Sequence, residues 1–128
     1  MKIQKSAEGY LETILMIHQK KGSVRSIDIA NELQFSKPSV SVAMKNLREN
    51  GYIEMAKDGE ISLLPPGLAI AQKIYERHQV LTGLLTGLGV DPVTAEEDAC
   101  QIEHVISVET FAALKKLKES LPNLAPAR

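Results

Sequence analysis

The sequence predicts a mainly α-helical chain, in which a helix–turn–helix with a β-hairpin precedes a second helical unit. Three observations predict it. Apolar residues recur at helical spacing through six separate segments. Asp58-Gly59 sits between two short apolar-containing runs, which is a hairpin signal. Aromatics are only 4% of residues and Trp is absent, so the core must come from Leu, Ile, Val, Ala and Met, which suits packed helices.

The first helix is expected from residue 4 to about 20. Tyr10, Leu11, Ile14, Leu15 and Ile17 form its apolar stripe, and Lys20-Lys21-Gly22 closes it with late cations and a glycine. Ser26 reads as the N-cap of a short second helix, Ile27 to Leu33, with Ile29, Ala30 and Leu33 inward. Gln34-Phe35-Ser36 is a tight connection. Ser36 then caps a third helix with Pro38 in its first turn, where a missing N–H does no harm. Val40, Ala43, Met44 and Leu47 are its inner face, and Asn50-Gly51 stops it.

The hairpin strands are expected at Tyr52–Ala56 and Ile61–Leu64, ended by Pro65-Pro66. A long fourth helix runs from about Pro66 to Gly87, with Ile70, Ile74, Val80, Leu81, Leu84 and Leu85 apolar. Asp91-Pro92 opens a fifth helix by cap and first-turn proline. Ser107 caps a sixth, through Phe111, Leu114 and Leu117 to about Leu121. This order is that of a winged helix-turn-helix domain, residues 1–64, followed by a second helical domain, residues 65–121. Residues 122–128 hold two prolines and are expected to be a loose tail.

In this arrangement the third helix enters the major groove of DNA, where base edges are distinguishable. Its outer face offers Ser36, Lys37, Pro38, Ser39, Ser41, Val42, Lys45 and Arg48. The serines suit phosphates or base edges, and Val42 suits a thymine methyl. Lys37, Lys45 and Arg48 supply phosphate contacts, as does Lys57 at the hairpin turn. Glu54 and Asp58 make the hairpin tip a weak basic element.

Net charge is −1, but it is unevenly spread. Residues 1–57 carry nine Lys/Arg against six Asp/Glu, and residues 58–128 six against ten. A mildly basic front suits nucleic acid, and an acidic back suits a cation. No apolar run approaches the roughly 18 residues that span a bilayer, and the start of the chain lacks a secretory signal pattern. With one cysteine there is no internal disulfide, so a reducing cytoplasm is expected.

That cysteine, Cys100, stands in Glu97-Asp98-Ala99-Cys100-Gln101-Ile102-Glu103-His104. On a continuous helix, positions i, i+3 and i+4 share a face, so the spacing points a thiol, a carboxylate and an imidazole at one spot. All three are common transition-metal ligands. Glu96 lies one turn earlier on the same face. Glu12 on the first helix and His78 on the fourth are more remote candidates. The plainer reading makes Cys100 a small buried hydrophobe and Glu103–His104 a surface pair.

Asp98-Ala99-Cys100-Gln101-Ile102-Glu103-His104-Val105-Ile106-Ser107 resembles the metal-binding helix of the diphtheria toxin repressor and manganese transport regulator family. Glu8-Gly9-Tyr10-Leu11-Glu12-Thr13-Ile14 resembles that family's first helix. Ser36-Lys37-Pro38-Ser39-Val40-Ser41 resembles the start of its recognition helix, and Arg77-His78 its fourth-helix histidine. The similarity covers roughly residues 6–121. It implies a homodimeric repressor, not an enzyme, that binds palindromic operator DNA when iron(II) or manganese(II) is plentiful. It also implies control of metal homeostasis, with no membrane and no small organic substrate as partner.

By this resemblance Cys100, Glu103 and His104 match the main regulatory site, and His78 matches a ligand of a second site. Glu96 stands where iron-type members place a histidine ligand. Glu12 stands where manganese-type members place a bridging glutamate. Gly9 stands at a further ligand position and has no side chain to give. The thiolate favours iron(II), with zinc(II) and cobalt(II) as further candidates. The carboxylates of Glu12, Glu96 and Glu103 keep manganese(II) next to iron(II). A metal shared by Glu12 and the fifth-helix ligands is expected to neutralise a carboxylate cluster and set the spacing of a dimer's recognition helices, with helices four to six forming the dimer contact. The main alternative is a winged-helix regulator that needs no metal, with Cys100 as a redox or structural residue. A metal-dependent hydrolase is disfavoured, because no phosphate loop or nucleophile–base pairing is present.

Overall fold

A computed structural model describes residues 5–120. They form α1 (Lys5–Lys21), α2 (Ser26–Leu33), α3 (Lys37–Glu49), β1 (Ile53–Met55), β2 (Ile61–Leu63), α4 (Pro65–Gly87), α5 (Pro92–Ile102) and α6 (Val108–Ser120). The chain divides into two compact units within α4, after Lys73. The stretch expected as a loose tail, 122–128, lies outside the described residues, as does residue 121.

The amino-terminal unit is built on the predicted apolar faces. Leu11 and Ile14 of α1, Ile29 of α2, Val40 and Met44 of α3, Val24 and Ile53 are all essentially sealed from solvent. Burying each aliphatic side chain contributes about 1.5–3 kcal/mol. The two strands pair antiparallel, with Ile53 opposite Leu63 and Met55 opposite Ile61. Ile61 also donates its N–H to the carbonyl of Val24, at 2.7 Å, which ties the wing to the α1–α2 connection.

Local signals act as expected at α3. Ser36 is its N-cap, and its hydroxyl accepts the N–H of Ser39 at 3.3 Å. Asn50 ends the helix, and Gly51 follows with φ of 79°, a left-handed conformation that glycine adopts without strain. The start of α2 differs from expectation. Arg25, not Ser26, is the N-cap, and the Asp28 carboxylate accepts the Arg25 N–H at 2.9 Å. An acidic side chain three residues into the helix satisfies the free N–H without a serine cap. Arg25 also reaches the hairpin turn, where its guanidinium pairs with the Asp58 carboxylate at 3.1 Å.

In the carboxy-terminal unit, Val80 and Leu84 of α4 and Phe111 of α6 make a core, flanked by Ile106 and Leu114. Asp91 caps α5 by accepting the N–H groups of Val93 and Thr94, and the Ser107 hydroxyl accepts the N–H of Thr110 at the start of α6. The main departure is the end of α5. The helix expected to carry Cys100, Glu103 and His104 stops at Ile102, leaving Glu103 as its cap and His104 in the following turn. No glycine or proline marks this stop. The buried guanidinium of Arg77 on α4 meets this end, donating from Nη1 to the carbonyl oxygens of Glu103 at 3.1 Å and Ile106 at 2.9 Å. Unpaired carbonyls at a helix end need such donors, and a cation is favourable there.

Candidate metal centre

The centre is assembled from α4 and from the end of α5. Glu103 keeps helical backbone angles and donates its N–H to Ala99 at 2.9 Å, so its side chain projects from the same face as Cys100. His78 Nδ1 from α4 lies 3.1 Å from Glu103 Oε2 and 3.8 Å from Cys100 Sγ. One ligand atom from each of His78, Cys100 and Glu103 lies within 4.8 Å of the others. Glu103 has 0% exposure, whereas Cys100 is exposed, so the cluster has a sealed floor and an open rim.

The geometry corrects the sequence expectation in one respect. The imidazole that joins the thiol comes from His78, not from His104. His104 Nε2 lies instead 3.4 Å from the other Glu103 oxygen, Oε1. α5 ends at Ile102, and His104 lies in the turn that follows it. Glu96 is exposed on α5 and is not drawn into a group of ligand atoms among the described residues. Glu12 is buried on α1 in the amino-terminal unit. At Gly9, on the same helix, a Cβ would meet nothing within 4 Å, so packing does not require the glycine.

The donors fit a divalent transition ion. Oε1 of Glu103 is buried without a hydrogen-bond partner, an expensive state for a carboxylate. A cation bound to this carboxylate would offset that cost, and imidazole, thiolate and carboxylate together suit the iron-to-zinc series.

His78 carries the main electrostatic signature. Its contact with Cys100, then its contact with Glu103, raises its pKa from 6.5 to about 10, against the opposing effect of burial. A group whose pKa rises on folding adds stability that is fully present below its unfolded value. That stability is lost as pH climbs through the folded value. The metal-free chain should therefore lose stability between pH 6.5 and about 10, and His78→Gln should flatten that decline in thermal unfolding. A metal ion must displace the same proton. Calorimetry at neutral pH in buffers of different ionisation enthalpy should show about one proton fewer released per ion in His78→Gln than in the parent chain.

The candidate DNA-facing residues lie on the amino-terminal unit. Ser36, Lys37, Pro38, Ser39, Ser41, Val42, Lys45 and Arg48 are all exposed along α3 and its cap, as is Lys57 in the hairpin turn. Val42 is 61% exposed, unusual for an aliphatic side chain on a helix whose other face is a core. Ser36 and Ser39 share a hydroxyl–hydroxyl hydrogen bond of 2.8 Å, and Lys45 lies 4.0 Å from Glu49. Two residues escaped sequence reasoning: Arg25, which braces the wing turn, and Arg77, which closes α5. Neither guanidinium contact had a local signal, because Asp58 lies 33 residues from Arg25 and Glu103 lies 26 from Arg77.

Two adjoining family patterns cover most of the chain. "Iron dependent repressor, N-terminal DNA binding domain" matches residues 2–61, and "Iron dependent repressor, metal binding and dimerisation domain" matches residues 65–121. The transcriptional regulator MntR of Salmonella typhimurium is 37% identical over 106 residues, covering 83% of this chain and 68% of that protein. The HTH-type transcriptional regulator MntR of Listeria innocua is 34% identical over 131 residues, covering 91% of this chain and 92% of its own length. Among solved structures, a manganese-dependent transcriptional repressor in complex with manganese superposes with a TM-score of 0.81 at 23% identity. That match covers 88% of this chain and 52% of the other, so this chain spans about half of that protein. No helix among the described residues is long and apolar enough to cross a membrane. Sequence and architecture agree that the chain belongs to the iron-dependent repressor family of metal-dependent transcriptional regulators, which are DNA-binding proteins and not enzymes.

Proposed function

We propose that this chain is a homodimeric repressor that binds palindromic operator DNA when loaded with iron(II) or manganese(II), and so controls metal homeostasis. The observation that carries the reading is the convergence of His78, Cys100 and the fully buried carboxylate of Glu103, with ligand atoms within 4.8 Å of one another. These three residues would hold the ion, with His104 beside Glu103 and with Glu12 and Glu96 as further ligand candidates on sequence grounds. A bound divalent ion supplies the positive charge that neutralises Glu103. Cys100 favours iron(II), consistent with the family description, while the carboxylates leave manganese(II) as the next candidate.

The exposed face of α3 supports a DNA role. Ser39, Ser41 and Val42 are of the size and chemistry to meet base edges, and Lys37, Lys45, Arg48 and Lys57 would meet phosphates. A two-fold dimer would present two such helices to two half-sites. Metal and operator would then favour the same conformer, and each would raise affinity for the other.

The test starts from random duplex DNA selected on manganese(II)-loaded protein. Binding of the selected duplex is then measured anaerobically with iron(II), with manganese(II) and with verified metal-free protein. Tight binding only with metal, to a sequence with two-fold symmetry, is the expected result. Equal affinity without metal would favour the metal-independent regulator. An asymmetric site bound by one copy would remove the dimer.

A further inference from the structure

Arg77 is only 5% exposed, and arginine is rarely buried so deeply without a charged partner. Among the described residues no carboxylate pairs with it. Its charge is met by the carbonyl oxygens of Glu103 and Ile106, and by the ring of Phe111, whose centroid lies 5.4 Å from the guanidinium carbon. Its Nε has no hydrogen-bond partner. A buried cation with a donor to spare is a costly way to stabilise a turn. An apolar side chain and a glycine after α5 would end the helix with no buried charge.

The arrangement has a specific geometric effect. Arg77 grips the backbone on both sides of the turn, at residue 103 and at residue 106. Phe111 gives the planar guanidinium a shelf, fixing the direction from which it donates. The gripped residue 103 is the one whose carboxylate faces His78 and Cys100. Arg77 and His78 are also neighbours on α4, so a single turn of that helix supplies one donor atom and orients another.

We propose that Arg77 is a positioning residue of the metal centre, acting through Glu103: it locks the α5–α6 turn so that the Glu103 carboxylate is held toward His78 and Cys100. The inference rests on reading that cluster as a metal site. Groups that orient a ligand rather than ligate commonly change metal affinity by roughly 10- to 100-fold. Both bonds leave one nitrogen, Nη1, whose direction is set by the guanidinium plane on Phe111; lysine in place of Arg77 keeps a charge but has no such plane to aim its donors.

The test is an anaerobic cobalt(II) titration of the full chain, read by the thiolate-to-cobalt charge-transfer absorption of Cys100 and by the visible ligand-field bands. Four proteins are compared: the parent, Arg77→Lys, Glu103→Gln and the double variant. Arg77→Lys should keep the Cys100 charge-transfer band, take on the ligand-field spectrum of Glu103→Gln, and weaken cobalt(II) binding about tenfold. In the Glu103→Gln background the same substitution should change affinity less than about twofold, because the group it positions is already gone. Equal losses in both backgrounds would reduce Arg77 to a structural residue and overturn the proposal. So would unchanged affinity in Arg77→Lys. Failure of the parent chain to take up cobalt(II) would instead overturn the metal reading, and this proposal with it. Should Arg77→Lys fail to fold, Phe111→Leu removes the shelf while keeping an apolar side chain. The same non-additivity with Glu103→Gln is then expected, and its absence counts against the proposal.

Discussion

Glu103→Gln is expected to abolish metal-induced stabilisation while leaving the metal-free fold intact. Glutamine has the shape of glutamate, so the packing around a side chain with 0% exposure is kept. It lacks the charge that an ion requires, and one of its two polar termini is a donor. Losing a sealed carboxylate ligand should weaken binding by about a hundredfold or more, beyond the usual effect of an outer-shell change. An ion at a hundred times its dissociation constant stabilises the folded chain by about 2.7 kcal/mol. After a hundredfold loss of affinity, the same concentration gives about 0.4 kcal/mol. For a chain of this size the metal-induced rise in unfolding midpoint should shrink by roughly 10 °C. Scanning with and without manganese(II) or cobalt(II) checks it, and an undiminished rise would move the ion away from Glu103.

The same residue shows what the sequence revealed and where it stopped. The order of elements was legible because each signal is local. The α3 cap at Ser36 and the α5 cap at Asp91 work within three residues, and the wing turn is carried by Asp58-Gly59. The apolar stripe of α1 was legible for the same reason, with Leu11, Ile14, Leu15 and Ile17 all buried. The metal cluster was legible only in part. Cys100 and Glu103 do share a face, because helical geometry persists for one residue past Ile102. His104 was expected against Cys100 but lies against Glu103, and the Arg77 guanidinium at the end of α5 sits 26 residues upstream of that glutamate. No periodicity or capping rule reads across that interval. His78 posed the same difficulty: an isolated histidine on a helix carries no sign of what it faces, and only the packing of α4 on α5 brings it to Cys100.

Glycine exposes this limit more sharply, because three helical glycines that look alike in sequence should respond in three ways to alanine. At Gly9 a Cβ meets nothing within 4 Å, so Gly9→Ala should recover the helix propensity that glycine forgoes, about 1 kcal/mol of added stability. At Gly83 the new methyl would lie 2.7 Å from Cε of Lys118, the far end of a flexible side chain that can swing aside. Propensity gain and displacement should nearly cancel there. At Gly67, in the first turn of α4, the Cβ would overlap the carbonyl oxygen of Tyr52 and lie 3.0 Å from its carbonyl carbon, with Leu11 Cδ2 at 3.4 Å on another side. That carbonyl cannot retreat freely, because it accepts the N–H of Leu64 at 3.0 Å where the wing returns to α4. Relief would require lifting the start of α4 off the wing or breaking that hydrogen bond. Gly67→Ala should therefore cost about 3 kcal/mol, at the upper end for overpacking, despite adding a better helix former. Urea unfolding of the three variants should rank Gly9→Ala above the parent, Gly83→Ala near it and Gly67→Ala far below. A Gly67→Ala chain as stable as the parent would mean that the wing and the first turn of α4 are not in the close contact described.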